Sequence, residues 1–172
     1  MMIFETERLI VRQYMPGEKE NFFLLNGNEE VMRYIRPVKT KDESNEFLEE
    51  VINSYPENIH MGRWAVDEKS TSAYVGSFAI IQMLEEPEKI QLGYALLKEH
   101  WGKGFATELT AAGIKFAFDV MDLKVINAVT EPLNISSQKV LLKTGFKKEG
   151  TIIEKGKELL LFSIKQTDRS FT

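Results

Sequence analysis

The chain has 172 residues, 43% hydrophobic and 28% charged, with a formal net charge of −4 at pH 7: the make-up of one soluble globular domain, long enough to bury a core. The negative balance argues against nucleic-acid binding, which favours a basic face. No cysteine is present and the only histidines are His60 and His100, which excludes disulfides, thiolate metal sites and a cysteine nucleophile and leaves no histidine cage, so no metal is expected.

At the start, MMIFETERLIV has no basic segment leading an apolar run, so it does not read as a signal peptide. No apolar stretch approaches the ~20 residues of a membrane span, and the expected address is cytoplasmic with no membrane partner. Residues 8–14 predict the first strand, with Leu9 and Val11 on one face. Pro16-Gly17 breaks it, and Phe22, Phe23 and Leu25 predict a short helix. Asn28 caps another short helix carrying Val31 and Ile35, with Glu29 and Glu30 at the positive end of its dipole. Thr40 to Glu43 is a capping box, after which Phe47, Val51 and Tyr55 recur at every fourth position and predict a helix over 41–55. Strands follow at 63–67, 73–83 and 89–97, with turns at Lys69-Ser70 and Glu86-Pro87. Residues 103–120 are the strongest helix, with Phe105, Leu109, Ala112, Phe116 and Val120 tracing one stripe. A strand at 124–131 leads to a helix at 135–144 that Gly145 stops. Strands near 146–154 and 158–166 read as a hairpin around Gly156. The alternation is α/β, nothing in it marks a linker or repeat, and one domain is expected over 5–166.

The stretch EHWGKGFATEL places Gly102 and Gly104 at the mouth of the strongest helix, directly after a strand. A helix N-terminus offers unpaired N–H groups and the positive end of a dipole, and glycines let a bulky anion approach them. From the glycines alone, an anion cradle and a tight strand-to-helix turn with nothing bound are equally good readings. A Walker loop is excluded because Phe105 and Ala106 follow Gly104. A dinucleotide fingerprint fits poorly, because Thr107 stands where its third glycine belongs and Asp122 precedes the next strand rather than ending it.

A second stretch, NISSQKVLLKTGF at 134–146, repeats the pattern of a polar cap opening a helix that a glycine closes. Taken together, W-G-K-G-F-A-T and the later N-x-x-S-x-x-x-L-x-K-x-G-F closely resemble the GNAT family of acyl-CoA-dependent N-acetyltransferases. ETERLIVRQY, NEEVMRYI and LGYALLKEHWGKGFATEL resemble its RimJ/RimL-like branch, which includes ribosomal-protein N-terminal acetyltransferases. The resemblance implies a mixed, mostly antiparallel central sheet of about seven strands flanked by helices, with a splayed strand pair at the cofactor cleft. It implies acetyl-CoA as cosubstrate, its pyrophosphate on the N–H groups of Gly102, Lys103, Gly104, Phe105, Ala106 and Thr107, with Trp101 opening the signature. The pantetheine arm would pair with Tyr94, Ala95 and Leu96 like an added strand, and Asn134 would meet it from the opposite wall. Lys139 and Lys143 are close enough in sequence to help, although a solvated helix face explains them as well.

The chemistry implied is direct attack of an amine on the thioester in a ternary complex. It needs a free-base acceptor, a donor for the oxyanion and a proton for the departing thiolate. A backbone N–H near Ala95 or Leu96 serves the oxyanion. Many relatives carry a tyrosine for the proton where this chain has Leu141; Ser137 is the nearest hydroxyl, with helix capping as its equal alternative. Relatives often carry an acid where this chain has Gln91, which cannot take a proton. Glu131 is a substitute by location, and His60 has a suitable pKa but reads as a loop residue. The acceptor pocket is expected from Arg33, Tyr34, Arg36, Glu154 and Glu158. Its amine could belong to a protein N-terminus, a polyamine, an aminoglycoside-like compound or a small metabolite, and the missing acid suits an α-amine. Gln91 and Leu141 also leave open a GNAT-like module that binds coenzyme A with weak or no catalysis, and a nucleotide-binding protein of another class is the third reading. Monomer and homodimer are both compatible with the sequence.

Overall fold

The structure is a computed structural model, described here over residues 1–168. The elements run β1 (Met2–Glu5), β2 (Leu9–Arg12), α1 (Lys19–Asn26), α2 (Glu29–Met32), α3 (Lys41–Ser54), β3 (Gly62–Glu68), β4 (Tyr74–Gln82), β5 (Ile90–Leu96), α4 (Phe105–Asp119), β6 (Val125–Thr130), α5 (Ile135–Lys143), β7 (Lys147–Glu154) and β8 (Lys157–Lys165). One eight-stranded sheet runs in the order β1-β2-β3-β4-β5-β6-β8-β7. Every neighbouring pair is antiparallel except β5 and β6. The fold is α/β with an open, mostly antiparallel sheet flanked by helices.

The strand register sorts side chains onto the two faces of the sheet. Trp64, Phe78 and Tyr94 are cross-strand partners on one face, and α4 packs there so closely that a Cβ on Gly113 would lie 2.3 Å from Phe78. Arg63, Ala79 and Gly93 are partners on the other face, as are Ala65, Ser77 and Ala95. On that face Tyr14 meets Phe22 of α1, and Phe22 meets Phe47 of α3. The Tyr55 hydroxyl donates to the Arg63 carbonyl at 2.7 Å and accepts from the Tyr14 amide at 3.0 Å. Leu9 and Val11 are fully buried, as their alternation predicts.

The structure corrects several expectations from sequence. The sheet has eight strands rather than about seven, because Met2–Glu5 pairs with β2 as an edge strand. That strand carries no alternating burial; Ile3 and Phe4, the latter held against Phe78 and Phe116, tie it to the core. Ile35 lies beyond α2 and is exposed, while Met32 takes the buried place beside Val31. α4 starts at Phe105 rather than residue 103, since Gly102 and Gly104 both sit at positive φ. Its stripe is broader than drawn: Val120 falls past the last turn and is exposed, Ala112 is half-buried, and Ile114, Ala117 and Phe118 are buried instead.

Candidate active site

β5 and β6 run parallel but share a single registered pair, Gln91 with Asn127, and then diverge. The Asn127 side-chain amide donates to the Ile90 carbonyl at 3.0 Å and closes the narrow end of the wedge. Beyond it the backbone of residues 92–96 is hydrogen-bonded on its β4 side and has no strand partner in β6. The divergence follows from what comes next: β5 feeds the turn before α4, and β6 feeds α5.

Gly102 and Gly104 adopt φ of +73° and +80° in that turn, which only glycine takes without strain. Gly104 is the N-cap of α4 and no side chain caps the helix, so its first N–H groups remain available. A Cβ built on Gly102 would meet nothing within 4 Å, and one on Gly104 would meet only an Arg8 nitrogen at 3.4 Å. The loop is held from behind: Arg8 donates to the Lys103 carbonyl at 2.9 Å and pairs with Glu108 at 2.6 Å. Glu108 also accepts from the Thr6 hydroxyl and the Arg8 amide. Burial opposes ionisation of Glu108, but these donors outweigh it and hold the carboxyl below its ordinary value. Trp101 is half exposed and turns its indole N–H onto the Leu96 carbonyl at 2.8 Å, so that carbonyl is already engaged at the end of β5.

Across the wedge, the Asn134 side chain accepts from the Ser137 amide at 3.2 Å and caps α5. Burial raises the pKa of the Tyr94 phenol, and a hydrogen-bonding interaction with the Ser137 side chain partly offsets that. Tyr94 lies on the α4 face of the sheet, and the Ser137 hydroxyl of α5 is near its phenol. Leu141 is packed in the core at 2% exposure. Ala95 is buried, Gly93 is exposed on the α2 side of the sheet, and Ala106 and Thr107 are half-buried in the first turn of α4.

On the α2 side lies a pocket of about 300 Å³ lined by Glu29, Met32, Arg33, Arg36, Lys157 and the turn at Pro37 and Val38. Of the residues expected there, Arg33 and Arg36 line it, Tyr34 lies under the Arg33 guanidinium at 5.3 Å, and Glu154 and Glu158 sit on the β7–β8 hairpin outside the lining. The Glu131 carboxylate is bound to the Lys157 ammonium at 3.0 Å. Gln91 is half-buried beside Asn127. His60 is exposed and packs edge-on against Phe116, on the α4 side of the sheet. Lys139 and Lys143 are exposed on α5. Sequence reasoning missed Arg8, Glu108, Arg63 and the side chain of Tyr94. Only the register of β3, β4 and β5 could have flagged the last two.

An uncapped helix start behind two left-handed glycines lies at the mouth of a wedge between diverging parallel strands, with free N–H groups and open space where an anion can be accommodated. The family model for the "Acetyltransferase (GNAT) domain" matches residues 8–147. The chain belongs to the GNAT acetyltransferase family. A relative, the "Uncharacterized N-acetyltransferase YoaA" of Bacillus subtilis (strain 168), is 30% identical over 152 residues, covering 87% of this chain and 85% of its own. The ribosomal-protein-S5-alanine acetyltransferase from Vibrio fischeri shares the fold with a TM-score of 0.78 at 21% identity, over 98% of each chain. The spermidine N-acetyltransferase from Vibrio cholerae, solved with CoA and spermine, gives 0.76 at 23% identity, over 93% of this chain and 96% of the other. This GNAT protein is an acyl-CoA-dependent N-acetyltransferase that uses acetyl-CoA and an amine acceptor. The glycine turn, with its open Cβ positions and uncapped N–H groups, fits the pyrophosphate of that cosubstrate. Among the described residues no helix is long and apolar enough to cross a membrane.

Proposed function

We propose that this GNAT enzyme acetylates a primary α-amine that enters through the pocket beside α2, and that it belongs near the RimJ/RimL-like branch. The carrying observation is the tie between Glu131 and Lys157 at 3.0 Å, set beside Gln91 where relatives often hold an acid. Neither group is a ready base. An alkyl amine titrates near ~10.4 and a peptide α-amine near ~7.7–8.0, so at neutral pH only the α-amine is free base in a useful fraction.

In this reading acetyl-CoA, when bound, supplies the activated acyl group. Residues 102–107 hold its phosphates with backbone N–H groups, and Lys103 adds a local positive charge. The freed edge of β5 at Tyr94 and Ala95 takes the pantetheine arm, and a backbone N–H near Ala95 or Leu96 takes the developing oxyanion. Asn134 borders the arm from α5. The Tyr94 phenol, its pKa raised by burial, and the Ser137 hydroxyl are the hydroxyls offered to the departing sulfur, where the Leu141 position offers none. The same-branch assignment is supported by the motif order and by the fold shared with ribosomal-protein acetyltransferases.

Rates against paired α-amine and alkyl-amine acceptors, read as thiol release from about pH 6.5 to 9.5, test this. The α-amine should be favoured most strongly at the acid end. A preference for spermidine at pH 7 that disappears in Glu131→Gln would overturn the proposal and make Glu131 the base. Coenzyme A binding with no thiol release over the whole amine panel would leave a binding module.

A further inference from the structure

Two arginines beside this pocket have no counter-charge. Arg36 follows α2 and lines the pocket. Arg63 stands on β3, on the sheet face it shares with its register partners Ala79 and Gly93. Their guanidinium carbons lie 5.3 and 5.5 Å from the centroid of the same ring, Phe47, and the Lys39 ammonium lies 5.0 Å from it. One phenyl ring is a weak answer to three cations. Arg36 Nε is buried with no hydrogen-bond partner. Among the described residues neither guanidinium is in an ion pair. The contrast within the molecule is plain, because Arg8 is answered by Glu108, and Arg12 by Glu18 and Asp67.

Burial, with repulsion from Arg63 second, pushes Arg36 down to about 9, and burial lowers Arg63 as well. Each guanidinium is held in a place that disfavours its charge. Burying a charge without a partner is costly, and a guanidinium presents a planar fork of donors that matches a carboxylate. The floor leading from Arg63 to the freed edge of β5 is made of Ala79 and Gly93, and a Cβ on Gly93 would meet nothing within 4 Å. The β5 end of that row is open, since Gly93 is exposed, while Ala79 in its middle is covered.

We propose that the acceptor amine carries a carboxylate, and that Arg36 and Arg63 hold it. The pocket's size, about 300 Å³, favours a small amino-acid-like amine, and a short acidic peptide offers the same chemistry. A polyamine would meet Arg33, Arg36 and Arg63 with like charge, while Lys157 is already paired with Glu131 and Glu29 is the one carboxylate in the lining. The inference rests on the reading of this pocket as the acceptor side, and deepens it.

The test compares free amino acids, the matching amino-acid amides, peptides with and without an acidic second residue, and spermidine, at about pH 7.5, below the titration of Arg36, with every rate expressed per free-base amine so that differences in amine pKa are removed. Binding of N-acetyl amino acids to the coenzyme A complex is followed separately by thermal shift. The carboxylate form should exceed the amide at least about tenfold in kcat/KM, mostly through KM. Arg36→Met and Arg63→Met should each erase that preference, and Arg36→Lys should keep part of it. Both Met variants should melt no lower than the parent, since a half-buried guanidinium crowded by like charge is removed, and a lower melting point would make the arginines structural and overturn the proposal. Dependence on the arginines seen only with acidic peptides would identify the source as a peptide. If amines are acetylated but acid and amide react alike, the carboxylate site fails and the transferase reading stands. If no amine reacts yet N-acetyl amino acids still stabilise the protein through Arg36 and Arg63, the acceptor reading fails and the anion site stands. Spermidine outperforming every carboxylated amine overturns it.

Discussion

Gly104 and Gly156 make a controlled pair of residues. Both sit in the left-handed region, at φ of +80° and +75°, so alanine at either should cost about 1–2 kcal/mol of stability. They differ in surroundings: Gly156 turns the β7–β8 hairpin in open space, whereas Gly104 caps α4 beside Arg8. Gly104→Ala places a methyl among the N–H groups that, in the proposed site, would face the phosphates, so it should weaken acetyl-CoA as well as stability. Gly156→Ala should lower stability alone. Calorimetric titration of both decides, and equal affinities would move the phosphates away from this turn. The glycines were legible in the sequence because a G-x-G at a strand-to-helix junction constrains the backbone locally. Arg63 was not, because an arginine between Gly62 and Trp64 reads as a surface side chain. Only the register with Ala79 and Gly93, and the helices lying over that face, show it half-buried and outside any ion pair among the described residues. The tyrosine opposite Ser137 was hidden for the same reason, since its partner comes from another element.

At the scale of elements, local signals carried far and long-range ones did not. The capping box before α3 was readable from four residues, and both of its hydrogen bonds form, at 3.3 Å from the Glu43 amide and 2.8 Å from the Thr40 amide. The placement of α1 was not readable. Arg12 on β2 reaches forward to the Glu18 carboxylate with two donors at 2.8 and 2.7 Å and across to Asp67 on β3, fixing the helix entrance to the sheet. Burial opposes ionisation of Glu18, but the Arg12 donors and the Met15 amide outweigh it and hold its pKa below the ordinary value. A group depressed in the folded state contributes stability above its unfolded pKa, near ~4.3, and loses it as pH falls through the folded value. Glu18→Gln should therefore cost about 1–2 kcal/mol at pH 7, a charge-assisted bond discounted for partial exposure. That deficit should narrow as the pH drops below about 4. Urea midpoints for parent and variant at several pH values measure it, and a deficit independent of pH would show that shape rather than charge fixes the entrance.

On the scale of the whole molecule, the sheet is two blocks, β1 to β5 and β6 to β8, meeting at one parallel pair. The asparagine at that pair, Asn127, is 7% exposed and spends its amide on the Ile90 carbonyl. A ligand in the wedge bridges the blocks, so its binding energy becomes folding energy. At 100 times Kd that is about 2.7 kcal/mol, which for a chain of this size raises Tm by roughly 5–10 °C. Two variants separate the geometry of the wedge from stability in general. Asn127→Ala strands the Ile90 carbonyl and should cost about 1–2 kcal/mol; Thr40→Ala removes a helix cap remote from the wedge and should cost about 1 kcal/mol. The two start from similar deficits, but only Asn127→Ala loosens the angle at which β5 and β6 part. Acetyl-CoA should raise the Tm of Thr40→Ala by as much as that of the parent, and that of Asn127→Ala by clearly less at the same concentration. Equal increments in all three would mean that α4 and α5 set the wedge, and that the single pair between the blocks merely seals its narrow end.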